Sequence, residues 1–311
     1  MNHELKENIF HIIDVKHISM KFLQELFELI KYKKKNKIRD DLKGKIIAML
    51  FYEPSTRTRF SFEAAAMKLG ANIITSENAR DFSSASKGET LEDTIKVVGN
   101  YADLLVIRHD EDNTLELASK VSTVPIISAG TGCSQHPTQA LLDIFTIYEH
   151  FGRLTDLKIA CVGDLLRSRT VNSLIYLLSQ FSNNKFYLIS PSNCKIQNQI
   201  RETLSNNQIT FYETEDLETT LPLIDVLYMT RIQKERFNDL GEYVKAKGQY
   251  RITNQNIEKM KENSIVMHPL PRVDEISVDV DQNKRAKYFV QAENGLYVRM
   301  ALLKMICQNR Q

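Results

Sequence analysis

The sequence predicts an α/β protein of two doubly wound parallel-sheet domains, with an active site in the cleft between them. Three observations predict it. Apolar runs of strand length alternate with segments of helical spacing from residue 45 to the C-terminal end. About four such units precede Pro137 and four to five follow Leu157, which suits two sheets better than one of that width. The unusual polar clusters, at 53–59, 108–109, 130–139, 163–169, 230–233 and 268–272, all follow strands, at the edge where open parallel sheets bind ligands. The expected domains are 1–136 plus 292–311 and 137–291, joined through a helix at 137–152.

The elements follow in order. Met20, Leu23, Leu26, Phe27 and Ile30 mark a helix over 18–32, and apolar residues from Ile46 to Phe51 a strand over 45–51. Phe62, Ala65, Ala66 and Leu69 return at helical spacing, predicting a helix over 56–69, followed by a strand at 72–75. Residues 79–88 are polar and without period, which predicts an exposed loop too poor in apolar residues to dock tightly on its own domain. A helix over 89–101, a strand over 103–107 ending in Arg108-His109, a helix near 114–121 and a strand over 124–128 complete the first half. Pro137 suits the first turn of the next helix, where its missing N–H has no partner to lose.

The second half predicts strands at 158–162, 185–189, 209–211, 225–229 and 264–267, with helices at about 169–181, 195–205, 253–262 and 293–308. Residues 230–250 read as a polar, Gly-containing segment.

A formal charge of +2 over 311 residues does not mark a nucleic-acid binder, and the basic run 31–37 suits the solvated end of a helix. Four cysteines without C-x-x-C spacing point to neither a disulfide framework nor a zinc site, and fit a reducing cytoplasm. No secretory h-region and no apolar run near ~20 residues is present, so the expectation is a soluble cytoplasmic protein with no membrane partner. Walker A, G-x-G-x-x-G, H-E-x-x-H and G-x-S-x-G patterns are absent, so no cofactor and no metal is expected.

The polar clusters carry the chemistry. Ser55-Thr56-Arg57-Thr58 falls at a strand-to-helix turn, where free N–H groups and the helix dipole favour an anion. A capped helix with a solvated arginine would explain the hydroxyls alone. Five consecutive residues of Ser, Thr, Arg, Thr and Arg favour phosphate. Arg108 is either a strand-end surface charge or part of the site. His136 and Gln139 bracket a helix start, where a neutral histidine can donate to a carbonyl oxygen; a structural cap is the alternative. Arg169 opens a helix after Gly163-Asp164, a position that calls for an anion, with Arg167 the weaker alternative.

Arg231 and Gln233, two apart in an extended segment, point to one side and can grip a carboxylate, although a charged loop exit looks similar. His268-Pro269-Leu270-Pro271 fixes carbonyls that can accept from an amino group, or is a rigid turn. Lys87, with Ser83 and Ser84, is solvated or reaches a neighbouring subunit. Many donors and no evident base suit an acyl-phosphate donor and an anionic acceptor, with catalysis by orientation and oxyanion stabilisation.

Ser-Thr-Arg-Thr-Arg, His-Pro-Thr-Gln and His-Pro-Leu-Pro, in this order and spacing, resemble the aspartate/ornithine carbamoyltransferase family over nearly the whole chain. Within it the chain is similar to catalytic chains of the aspartate type. Pro269 stands where ornithine-type members carry Cys, no Ser-Met-Gly segment is present, and Thr-Arg-Ile-Gln-Lys-Glu-Arg at 230–236 matches the aspartate pattern.

The resemblance implies a carbamoyl phosphate-binding and an aspartate-binding domain, and carbamoyl transfer to the α-amino group of L-aspartate in pyrimidine biosynthesis. Ser55, Thr56, Arg57 and Thr58 would hold the phosphate, and Arg108, His136 and Gln139, with Thr58, the carbamoyl group. Arg57, Thr58, Arg108 and His136 would form the catalytic set. Arg169, Arg231, Gln233, Leu270 and Pro271 would bind aspartate with Lys87, and Ser83 and Lys87 would come from the adjacent subunit of a homotrimer with shared sites. Regulatory chains are further implied partners. Glu53, Arg236, Tyr243 and Asp274 match residues linked to domain closure. Two departures, Ser86 before Lys87 and a longer 237–242 segment, touch loops rather than anion sites. The alternatives are transfer to another amino acid, or a non-catalytic anion-binding subunit; intact Arg57, Arg108, His136 and Lys87 oppose the latter.

Overall fold

A computed structural model describes residues 10–36, 40–82, 84–132 and 135–308. The chain divides into two compact units, one running to Thr138 and resuming at Gly295, the other holding Gln139–Asn294. Each contains one parallel sheet.

The first unit's strands are β1 (Ile46–Phe51), β2 (Asn72–Glu77), β3 (Leu104–His109) and β4 (Ile126–Thr131), in the order β2-β1-β3-β4. Its helices are α1 (Met20–Lys35), α2 (Thr56–Lys68), α3 (Ala79–Phe82), α4 (Leu91–Gly99) and α5 (Thr114–Val121). Then α6 (Pro137–Phe151) carries the chain into the second unit. There β5 (Lys158–Val162), β6 (Lys185–Ile189), β7 (Thr210–Thr214), β8 (Val226–Met229) and β9 (Ile265–Met267) pair in the order β7-β6-β5-β8-β9. The remaining helices are α7 (Arg169–Leu178), α8 (Asn198–Asn206), α9 (Leu240–Ala246), α10 (Asn254–Glu258) and α11 (Tyr288–Gln308), the last returning to the first unit.

Strands covered on both faces are mostly apolar: all six residues of β3 and of β4 are buried, whereas the edge strands β2 and β7 hold no buried residue. One core cluster of the first unit gathers Ala48, Leu50, Leu105, Ile107 and Ile126 with Ile95, Leu115 and Ala118 from α4 and α5. A cluster of the second joins Ala160, Val162, Leu227, Met229 and Val266 to Ile257, Val280 and Tyr288.

In both units strand order reverses beside the first strand formed, between β1 and β3 and between β5 and β8. Loops leaving the carboxyl ends of such a pair diverge to opposite faces, and the crevice they leave is where ligands bind.

Three expectations need correction. The expected loop at 79–88 contains α3 and a 3-10 turn at Ser84–Lys87. Ala79 packs into the first unit's core and Arg80 pairs with Asp110 at 2.7 Å, so this segment does dock on its own unit. Asn78, at φ 52, turns the chain into it, and one buried alanine is too sparse a signal for periodicity. The polar segment 230–250 holds a 3-10 turn at Lys234–Arg236 and α9, capped by Asp239 accepting from Gly241 N–H at 2.8 Å. The helix expected over 253–262 ends at Glu258, so α10 is little more than its Thr253–Asn256 capping box.

Candidate active site

At the carboxyl end of β1 the chain turns through Pro54 into α2, with Ser55 as its N-cap. Ser55 caps with its backbone alone: its side chain makes no cap hydrogen bond. A capping hydroxyl would have taken one of the helix's first N–H groups, so the start of α2 keeps its donors for an anion. Thr58 is buried there and Arg57 is exposed. Arg59, the second arginine of the cluster, pairs with Glu63 at 3.2 Å and with Glu77, which accounts for its structural part.

Arg108 lies beside Phe51 in the β1–β3 register. Its guanidinium is buried, with Nη2 2.8 Å from Glu53 Oε2 and Nη1 donating to the Ala129 carbonyl at 3.1 Å. The alternative of a surface charge is excluded by that burial. Gly130 explains how His136 joins it. A Cβ on Gly130 would sit 3.0 Å from Arg108 Nη1 and 3.5 Å from His136 Nε2, so both side chains close over a glycine at φ +117. His109 serves the frame instead: its ring lies 4.8 Å from Tyr52, and Nδ1 accepts from Glu111 N–H at 3.1 Å. Burial lowers its pKa more than Asp110 and Glu111 raise it, so its 3.4 Å approach to Asp110 is no ion pair near neutrality.

In the second unit Gly163 follows β5 at φ +119, against the end of β8; any Cβ there would collide with the Thr230 carbonyl. Ser168 caps α7 and its hydroxyl lies 3.4 Å from that of Thr230, tying the two strand exits together. Arg169 is the first residue of α7 and is buried. Arg167 is engaged elsewhere, 3.5 Å from Asp164 and stacked 3.8 Å over Phe237. Burial raises the Asp164 carboxyl above its usual range against the pull of Arg167. Arg231 is held by Glu235 through both terminal nitrogens of its guanidinium, and Gln233 stays extended at φ −89, ψ 95. A cavity of about 130 Å³ opens here, lined by Thr230, Arg231, Lys234, Tyr243 and Asp274 among others.

After β9, His268 Nδ1 accepts from Leu270 N–H at 2.8 Å, so the proton sits on Nε2, which donates to Glu275 at 2.7 Å. The other Glu275 oxygen accepts from Val273 and Asp274 N–H, each at 3.1 Å. The turn through Leu270, at φ 54, is thus held at Leu270 by His268 and at 273–274 by Glu275. Gln139, the first residue of this unit, donates from Nε2 to Asp143 at 2.8 Å.

Within the first unit, then, Ser55–Thr58 follow β1 and Arg108 closes β3 at the strand-order reversal, with His136 closing on Arg108 over Gly130. Within the second, Arg169, Arg231, Gln233 and the 268–271 turn follow β5, β8 and β9. Lys87 is exposed at the end of its 3-10 turn, and Ser83 lies outside the described residues. Gly130, Asp143, Glu235 and Glu275 were not singled out from sequence, although the four-residue spacings Gln139–Asp143 and Arg231–Glu235 were available signals. The described cysteines are buried, and burial pushes Cys161 and Cys194 up to about 12, which disables them as nucleophiles at neutral pH. Among the described residues no cluster of metal-ligating side chains occurs, and no helix is long and apolar enough to cross a membrane.

Two family models match in tandem: the aspartate/ornithine carbamoyltransferase carbamoyl-P binding domain over residues 10–149, and the Asp/Orn binding domain over 155–306. This chain belongs to the aspartate/ornithine carbamoyltransferase family. It is 48% identical over 308 residues to the aspartate carbamoyltransferase catalytic subunit of Methanocaldococcus jannaschii, covering 97% of this chain and 99% of that one. The solved catalytic subunit of the M. jannaschii aspartate transcarbamoylase superposes with a TM-score of 0.89 at 47% identity, covering 96% of this chain and 98% of that one. The Trypanosoma cruzi aspartate transcarbamoylase, solved in complex with carbamoyl phosphate and aspartate, superposes with a TM-score of 0.89 at 35% identity and 96% coverage of both chains. The carbamoyltransferase fold therefore accounts for both sheets.

Proposed function

We propose that this chain transfers the carbamoyl group of carbamoyl phosphate to the α-amino group of L-aspartate, giving N-carbamoyl-L-aspartate and phosphate, as a step of pyrimidine biosynthesis. The observation that carries the reading is the open start of α2 together with Arg108 and His136 meeting at Gly130: a phosphate-type anion site with N–H donors for a carbonyl oxygen on the same unit. Ser55, Thr56, Arg57 and Thr58 take the phosphate; Thr58, Arg108, His136 and Gln139 take the carbamoyl group. Arg169, Arg231, Gln233 and the Leu270–Pro271 turn take aspartate. The acceptor's second carboxylate needs cations, and Arg231 and Lys234 line the cavity of the second unit.

The amino lone pair attacks the carbamoyl carbon, charge builds on the carbonyl oxygen, and Arg108 and His136 stabilise it. The C–O bond to phosphate then breaks, and the leaving phosphate carries its electron pair and accepts the ammonium proton. Colorimetric assay of carbamoyl-amino-acid formation tests this: turnover is expected with aspartate and not with ornithine. A folded sample inert toward aspartate overturns the reading.

The chain works as a cytoplasmic homotrimer in which Ser83 and Lys87 complete the site of the neighbour, and the exposure of Lys87 supports this. Mixing inactive Lys87→Ala and Arg57→Ala chains is expected to restore part of the activity. Hybrid trimers that stay inactive would mean each site is built from one chain.

A further inference from the structure

A fully buried carboxylate sits one helical turn into the second unit. Asp143 is 0% exposed, and its oxygens collect three donors: Gln139 Nε2 at 2.8 Å and Gln291 Nε2 at 2.6 Å on Oδ1, and the Tyr228 hydroxyl at 2.8 Å on Oδ2. A buried charge with one partner missing is costly, and this one is met from three elements, α6, α11 and β8.

Two of those donors lead onward. Gln139 gives one N–H to Asp143, which anchors its amide nitrogen at the carboxylate and leaves its carbonyl oxygen as the group that can accept a ligand N–H. Gln291 likewise gives its nitrogen to Asp143 and accepts with Oε1 from His268 N–H at 2.9 Å. His268 in turn accepts from Leu270 N–H at 2.8 Å. The line Gln139–Asp143–Gln291–His268–Leu270 thus runs through one carboxylate, each of its four links a hydrogen bond of known direction.

We propose that Asp143 is a positioning residue for the transfer reaction: it fixes the Gln139 amide as an acceptor and, through Gln291 and His268, sets the Leu270 turn. Both ends then present acceptors to nitrogen-bound protons, one for the carbamoyl amide and one for the attacking amine. This rests on the placing of Gln139 and Leu270 in the site under Proposed function. The selection of acceptors follows from the anion at the hub, because a carboxylate accepts only.

The isosteric Asp143→Asn variant puts an amide where that anion was. It is expected to lower kcat by about tenfold or more with KM for aspartate changed less than about threefold, since orientation rather than ground-state binding is lost. In a Gln139→Ala background the same substitution is expected to cost less than about threefold, because part of its effect passes through Gln139. A kcat within about twofold of the unsubstituted chain, or an equal loss in both backgrounds, overturns the proposal. Amide hydrogen exchange over 265–275 gives a readout apart from activity: protection at His268 and Leu270 is expected to fall about tenfold or more, and unchanged protection overturns the link to the turn. Should Asp143→Asn not fold, Gln291→Leu severs only that link, and the same loss of protection is expected of it. An unsubstituted chain inert toward aspartate would sink the proposed reaction alone, with exchange still deciding the role of Asp143.

Discussion

At the carboxyl end of β3, Arg108 is gripped by Glu53 at 2.8 Å with 8% of its side chain exposed. Beyond β8, Arg231 is gripped by Glu235, but 27% of the arginine side chain and 54% of the glutamate side chain face solvent. The two units use one device, an arginine steered by a carboxylate, at different depths. Arg108 has already given up its water, and Ala129 and Glu53 leave it one orientation. Under the proposed mechanism, its contacts with developing charge would be made in a low dielectric without reorganisation. Arg231 is held by a screened pair of the kind worth about 0–1 kcal/mol, so little opposes its release from Glu235. A rigid arginine at the end of β3 and an adaptable one beyond β8 follow from burial alone.

The largest expected effects come from breaking both arginines and comparing the costs. Arg108→Ala is expected to lower kcat/KM by on the order of 10³-fold, and to lower stability by about 1–3 kcal/mol because Ala129 and Glu53 lose their donor. Arg231→Ala is expected to lower kcat/KM while leaving stability within about 1 kcal/mol. Steady-state kinetics and denaturant midpoints on the two variants check this. Equal stability costs would erase the difference drawn here.

How much of this was legible in the sequence follows from the range of each interaction. Strand-end clusters were legible because a parallel sheet displays its loops at one edge, and Ser55–Thr58 announce their helix start locally. The Arg108–Glu53 pair spans two different strands' exits, and only the fold brings them together. Gly130 was silent because nothing in a glycine says which side chains close over it. The missed helix α9 has only Ala246 buried, too little apolar surface to leave a period. Asp143 was hidden for the opposite reason, since one acid on an apolar helix face does not reveal its three distant or local donors.

The second unit also has a firmly held part, the turn fixed by His268 and Glu275, and its stability depends on pH. Burial would push the Glu275 carboxyl up, but the hydrogen bond from His268, with those of backbone N–H groups, holds it below the ordinary 4.5. A depressed carboxyl contributes stability above its unfolded pKa and loses it as pH falls through the folded value. Relative to Glu275→Gln, the unsubstituted chain is therefore expected to be more stable by about 1–2 kcal/mol at pH 7, with the gap closing below 4.5. Denaturant midpoints at neutral and acid pH read this directly, and a gap that does not change with pH removes the ionised Glu275 carboxylate as its cause.

The smallest effect is expected at Glu235. Its carboxylate meets Arg231 through two nitrogens and so sets the plane of the guanidinium, leaving the remaining donors for a ligand carboxylate. Glu235→Gln keeps the shape and removes the charge. Because the pair is exposed, folding stability is expected to stay within about 0.5 kcal/mol. Orientation is what suffers, so KM for aspartate is expected to rise about three- to tenfold while KM for carbamoyl phosphate stays level. A neutral partner still accepts one hydrogen bond, which keeps the loss below that of Arg231→Ala. If KM for aspartate falls instead, Glu235 competes with the substrate for Arg231 rather than steering it, and the likeness to Glu53 and Arg108 ends at geometry.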